Sequence, residues 1–180
     1  LSGAAGGGDP PGDVCPVTYS EPLAPLVAGR RAGRPVDLKA LDGAFARLSA
    51  ERDAIVVEGA GGLLVPLTGQ GSYAGLFARW RLGLVVVAAN RLGAINHVLL
   101  TVHAARAAEL RIHVVVLNAL SRSADAAAQT NAPTLAQLLP GVPVLAWPWL
   151  ADLSDDALAL QAERIGLLTG EHLNAVERTT

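Results

Sequence analysis

Methionine is missing from this 180-residue chain, and lysine and cysteine occur once each. The lone Cys15 excludes an intrachain disulfide framework and any metal centre built from several thiolates of one chain, and it fits a reducing compartment. The lone lysine, Lys39, lies in VDLKAL and not among glycines, so these residues hold no phosphate loop of the GxxxxGK[ST] kind. Aromatic residues make up 4% of the chain, which leaves the core to Val, Leu, Ile and Ala, the mixture typical of parallel α/β sheets. No apolar run approaches the roughly 18 residues of a membrane span, and the N-terminus lacks the basic-then-apolar order of a secretion signal. The expectation is a soluble, cytoplasmic protein. A net charge of −2 without any Lys/Arg run argues against nucleic acid or an anionic membrane as the main partner. A chain that starts at Leu1 and lacks methionine is expected to be cut or processed from a longer one.

What is present reads as one domain over residues 1–180, with 1–14 flexible because LSGAAGGGDPPGD is Gly, Ala, Pro and Asp without periodicity. Pro22 to Gly29 allows a short helix. Asp37 reads as the N-cap of a clearer one, with Leu38, Leu41, Phe45 and Leu48 at helical spacing. Four short apolar runs then predict strands: Ala54 to Val57, Leu84 to Ala89, Ile112 to Leu117 and Val142 to Ala146. Each is apolar but for His113 in the third, so each is expected to be covered on both faces. Helices are predicted over Tyr73 to Leu82, Ala94 to Glu109 and Ala124 to Leu139, with a last one after Ser154. The alternation predicts a doubly wound α/β fold, in which ligands gather at the carboxyl ends of the strands.

Glycine and polar residues fall at those ends, so four loops are expected to line one crevice. Glu58 follows the first run and enters Gly59-Ala60-Gly61-Gly62, a setting that suits a magnesium carboxylate with backbone amides open to a phosphate. A tight turn with a solvated glutamate fits the same spacing. Asn96, at the start of a helix, either helps hold a carboxylate or merely caps the helix. Asn118 ends the third run, where its amide can read the edge of a base or simply close a turn. Pro148 and Trp149 offer a flat wall for a nucleotide ring, or core filling beneath the last loop. His97, His103 and His113 have no partner at metal-ligand or catalytic spacing and read as ordinary histidines.

Four segments in order, VEGAGGLLVPL at 57–67, NRLGAINHVLLT at 90–101, VVLNAL at 115–120 and PWL at 148–150, resemble the dethiobiotin synthetases. PLAP at 23–26 and GRPVDL at 33–38 extend the resemblance, which runs from about Cys15 to about Asp155. Amidoligases that modify cobalamin precursors carry loops like EGAGG, and a non-catalytic interaction subunit is the alternative outside the enzymes. The resemblance implies a mostly parallel sheet of the P-loop NTPase type. It implies a reaction in which 7,8-diaminononanoate, as a carbamate formed with CO2, is phosphorylated by ATP and closed to dethiobiotin. It further implies Glu58 as a Mg2+ ligand and Gly59, Ala60 and Gly61 on the nucleotide-phosphate side. Asn118, Ala119, Pro148, Trp149, Leu150 and Asp155 would lie around adenine. The active sites would lie at a homodimer interface, with Leu92, Gly93 and Asn96 reaching the substrate carboxylate from the neighbouring subunit.

The family also begins with a phosphate-loop strand, a strand bearing a second lysine and a further magnesium-binding aspartate, and none of these is identifiable here. Asp9, in a Gly/Pro setting, is a poor substitute. No catalytic residue is therefore assigned, and the isolated chain is expected to be inactive. It is expected to be a fragment, a truncated reading of the gene or one piece of a split protein. Gly75 stands where the family usually has aspartate, and Glu109 and Val114 where it usually has glycine, departures that also allow a decayed paralogue.

Overall fold

The computed structural model describes residues 8–123 and 125–164. Contacts divide the chain into two compact units, Leu1–Leu76 and Phe77–Thr180.

In the first unit, α1 (Pro11–Val14), α2 (Pro25–Arg31) and α3 (Leu38–Glu51) precede the glycine-rich loop, and α4 (Tyr73–Arg79) begins after it. Proline at the first position of α1 and of α2 costs nothing, because that N–H has no helical partner. The single turn of α1 falls inside the segment expected to be flexible. Asp9, just before it, accepts a hydrogen bond from Arg52 at 2.7 Å, and this charged contact holds the Arg52 pKa above its ordinary value. Asp37 caps α3 as its sequence predicts, its carboxylate accepting from the Ala40 N–H at 3.0 Å. Leu38, Leu41, Phe45 and Leu48 form the half-buried stripe of that helix.

Ala54 to Val57 corrects an expectation. The run is not a strand: it pairs with no described segment, and Val56 is 96% exposed. Apolar, β-branched composition favours a buried pleated surface but supplies no ladder, and a strand exists only where a neighbour takes its N–H and C=O groups.

The second unit holds a three-stranded parallel sheet of β1 (Leu84–Ala89), β2 (Ile112–Asn118) and β3 (Val144–Trp147), in that order. The strands are joined by α5 (Ala94–Ala107) and α6 (Ala126–Leu138), and α7 (Asp155–Arg164) follows. The strand β3 starts two residues later than predicted, because Val142 is still in the turn after α6, its N–H bonded to the Leu139 carbonyl. Helices α5 and α6 pack on the sheet and on each other. Between them and the sheet lies the core of Val86, Val98, Val102, Val115, Leu117, Leu135 and Leu139.

The central strand β2 is buried on both faces, with Val114, Val115, Val116 and Leu117 at most 5% exposed. The edge strand β1 is not. Val86 points into the core, whereas Val85 and Val87 are 44% and 65% exposed. A run of valines reads the same on an edge as in a sheet's centre, so the expected two-sided cover fails at β1.

Helix α5 ends where Glu109 takes a left-handed conformation, φ 58°. A side chain there costs roughly 1 kcal/mol relative to glycine, whose extra unfolded-state entropy returns part of the gain. Glu109→Gly is therefore expected to raise stability by about 0.5 kcal/mol, seen as a higher urea midpoint at unchanged slope.

Candidate functional site

In the first unit the glycine-rich loop is braced. Gly61 has φ +113°, a conformation open to glycine, and its N–H bonds to the Gly59 carbonyl at 2.9 Å. The Ala60 N–H donates to the Tyr73 hydroxyl at 3.0 Å. The ring of Tyr73 lies under Gly59, where an added Cβ would meet it at 3.2 Å. The amides of Ala60 and Gly61, read from sequence as open to a phosphate, are thus already paired within the chain. Glu58 is exposed, and no described residue takes its carboxylate in a hydrogen bond or ion pair. Among the described residues no group of three His, Cys, Asp or Glu side chains could hold a metal. One exposed carboxylate on a fixed loop nevertheless fits Mg2+, which often takes one or two protein carboxylates and fills its shell with water and phosphate oxygens.

In the second unit the loops that leave the three strands are stitched together at their first residues. The Asn90 N–H donates to the Asn118 carbonyl at 2.8 Å and the Ala119 N–H to the Trp147 carbonyl at 2.9 Å. Asn118, partly buried, and Trp147 are register partners. Beyond them Pro148 is exposed and Leu150 partly buried. Trp149 is 38% exposed and carries the Arg122 guanidinium 5.0 Å from its ring centre. A hydrogen bond from the Ser121 hydroxyl to the Ser123 carbonyl, 2.9 Å, closes the turn that presents Arg122. Asp155 opens α7. Ahead of it Asp152 accepts the Ser154 N–H at 2.9 Å, and this bond, helped by the Ser154 hydroxyl, holds the Asp152 carboxyl below its ordinary pKa.

At the end of β1, Gly93 (φ +93°) is the N-cap of α5, and no side chain caps that helix. Asn96 is exposed and makes no capping bond to α5. Leu92 and Leu100, four residues to either side of Asn96, are 85% and 60% exposed. The loop is fixed from beneath by a residue that sequence reasoning misses. Asn131 of α6, only 3% exposed, donates to Asn90 Oδ1 at 2.9 Å and to the Arg91 carbonyl at 3.0 Å. Asn90 Nδ2 in turn donates to the Ala128 carbonyl at 3.0 Å. A signal for it exists, since Asn131 interrupts the inward stripe it shares with Leu135 and Leu139.

His113 lies where the β1–β2 register shifts, packed so closely on Gly83 that any Cβ there would strike its ring. Burial, and then the charge of Arg111, lowers its pKa. His97 and His103 are exposed on α5.

Comparison with known proteins gives a match of residues 8–157 to the AAA domain family model. The chain is 42% identical over 160 residues to the ATP-dependent dethiobiotin synthetase of Anaeromyxobacter dehalogenans, covering 89% of this chain and 72% of that protein. It is 36% identical over 166 residues to the enzyme of the same name from another Anaeromyxobacter strain, covering 92% and 74%. To that of Bacillus subtilis it is 35% identical over 147 residues, covering 81% and 63%.

Proposed function

The chain belongs to the family of ATP-dependent dethiobiotin synthetases, and on that premise we propose that it carries the base-reading, magnesium and substrate-carboxylate parts of a ring-closing ligase of biotin biosynthesis. The reaction joins CO2 to 7,8-diaminononanoate as a carbamate, transfers the terminal phosphoryl group of ATP to it with release of ADP, and closes the cyclic urea as the second amine displaces phosphate. The catalytic demand of such a reaction is positioning and charge neutralisation, since the protein itself forms no bond. Bound Mg2+ would supply the charge neutralisation.

Glu58 offers the metal one carboxylate, with Gly59, Ala60 and Gly61 beside the nucleotide phosphates. Asn118 reads the adenine edge with its donor and acceptor, and Ala119, Pro148, Trp149, Leu150 and Asp155 surround the base. The observation that carries this reading is the backbone stitching of Asn90 to Asn118 and of Ala119 to Trp147, which sets the amide and the indole loop on neighbouring strand ends. Leu92, Gly93 and Asn96 serve the substrate carboxylate of a second copy in a cytoplasmic homodimer. Two exposed leucines flanking Asn96 at helical spacing support a partner on that face. No described helix is long and apolar enough to cross a membrane.

These 180 residues contain no phosphate-loop lysine, so the chain by itself is expected to form no dethiobiotin from the diamine, CO2 and Mg·ATP. Supplied with a phosphate-loop segment of a relative, it is expected to turn over, and Asn118→Ala is expected to raise KM for ATP about tenfold, the effect of a lost base contact. An unchanged KM in the variant, or turnover that does not need ATP, would defeat the reading.

A further inference from the structure

Three constraints converge on the loop behind Glu58: the Ala60 N–H to Tyr73 hydroxyl bond of 3.0 Å, the Tyr73 ring beneath Gly59, and the turn at Gly61. The Glu58 carboxylate itself has no described partner. Ala60 is exposed, so water would satisfy its amide if Tyr73 did not. A hydrogen bond that replaces an equally available one with water adds little stability. What it does is remove the freedom of a glycine-rich segment that would otherwise sample many backbone states. A braced backbone carrying an unspent ligand is the arrangement that binding sites require, because a ligand held in place loses less entropy when the ion arrives.

We infer that Tyr73 is a positioning residue for the magnesium carboxylate: its hydroxyl pins Ala60, its ring supports Gly59, and together they hold Glu58 in one place. The inference rests on the reading of Glu58 as a metal ligand, and it assigns a function to a tyrosine that no motif of the chain marks. The two parts of the side chain act separately. Tyr73→Phe keeps the ring under Gly59 and removes the acceptor, so it isolates the hydroxyl.

The test uses Mn2+ as a paramagnetic substitute for Mg2+ on the isotope-labelled chain, with amide exchange measured alongside. In the unsubstituted chain Mn2+ is expected to broaden the amide signals of residues 58–62, and Glu58→Gln is expected to abolish this. Tyr73→Phe is expected to raise the Mn2+ concentration for half-broadening by about tenfold, the lower end for residues that orient a metal ligand. It should also speed exchange at the Ala60 amide while the Ala74 amide, bonded to the Leu63 carbonyl at 2.9 Å, keeps its protection. If Glu58→Gln leaves the broadening intact, or none occurs in the parent chain, the metal reading fails and the inference with it. If Glu58→Gln abolishes it but Tyr73→Phe binds Mn2+ as the parent does, only the positioning role fails. Loss of protection at Ala74 as well would make Tyr73 a support of the whole turn and overturn the specific claim.

Discussion

Asn131→Leu is expected to cost about 3 kcal/mol of folding free energy, because each buried polar group left unpaired costs about 1–3 kcal/mol. Leucine is close to asparagine in size and matches the stripe of Leu135 and Leu139, so hydrophobicity alone predicts a gain. The opposite sign follows from what the amide holds. Its nitrogen serves Asn90 Oδ1 and the Arg91 carbonyl together, and leucine strips both acceptors of their donor. Urea unfolding of the variant and of Asn90→Ala in the same background gives a cycle. Once Asn90 is truncated, the cost of Asn131→Leu is expected to fall by roughly 1 kcal/mol, the coupling of residues that share a network. An Asn131→Leu variant within about 0.5 kcal/mol of the parent would show the pair to be dispensable. Under the proposed function the effect would extend through Arg91 to Leu92 and Gly93, the residues that follow it.

Leu117→Ala carries a second large effect, about 3 kcal/mol, the middle of the range for a fully buried leucine in a sheet core. Leu117 is 0% exposed and directly precedes Asn118, so the cavity opens beside the residue proposed to read the base. Val87→Thr on β1 is the informative companion. With Val87 65% exposed, it is expected to stay within about 0.5 kcal/mol. Thermal and urea melts of both variants settle the comparison. A Val87→Thr cost near that of Leu117→Ala would mean that the outer face of β1 is covered in solution.

Much of the fold is legible in the amino-acid sequence. The strands at 84–89 and 112–118 declare themselves as valine-rich runs, the first bounded by Gly83 and Asn90 and the second predicted to Leu117 and closed by Asn118, and Asp37 declares the start of α3 through its side-chain oxygen. The loops at Glu58, Asn90, Asn118 and Trp147 can be placed because polar and glycine residues follow each apolar run. What stays hidden depends on partners distant in sequence. Ala54 to Val57 has the composition of a strand and lacks the ladder that makes one. The two faces of β1 are alike in composition and differ in what lies against them. Tyr73 and Ala60 are thirteen residues apart, and no spacing rule connects a helix-opening tyrosine to a loop amide. Glu109 is visible as a departure from a family glycine, but its meaning, a left-handed turn at the end of α5, needs a backbone angle.

The strand β1 has one more property that matters at the bench. It ends the described sheet with a free row of backbone donors and acceptors beside two exposed valines, and nothing on that strand, neither proline nor charge, discourages a second strand from zipping on. Preparations of this chain should therefore be handled dilute, and turbidity that grows with protein concentration would have its seed at residues 84–89, where a lysine in place of Val87 is the first remedy to try.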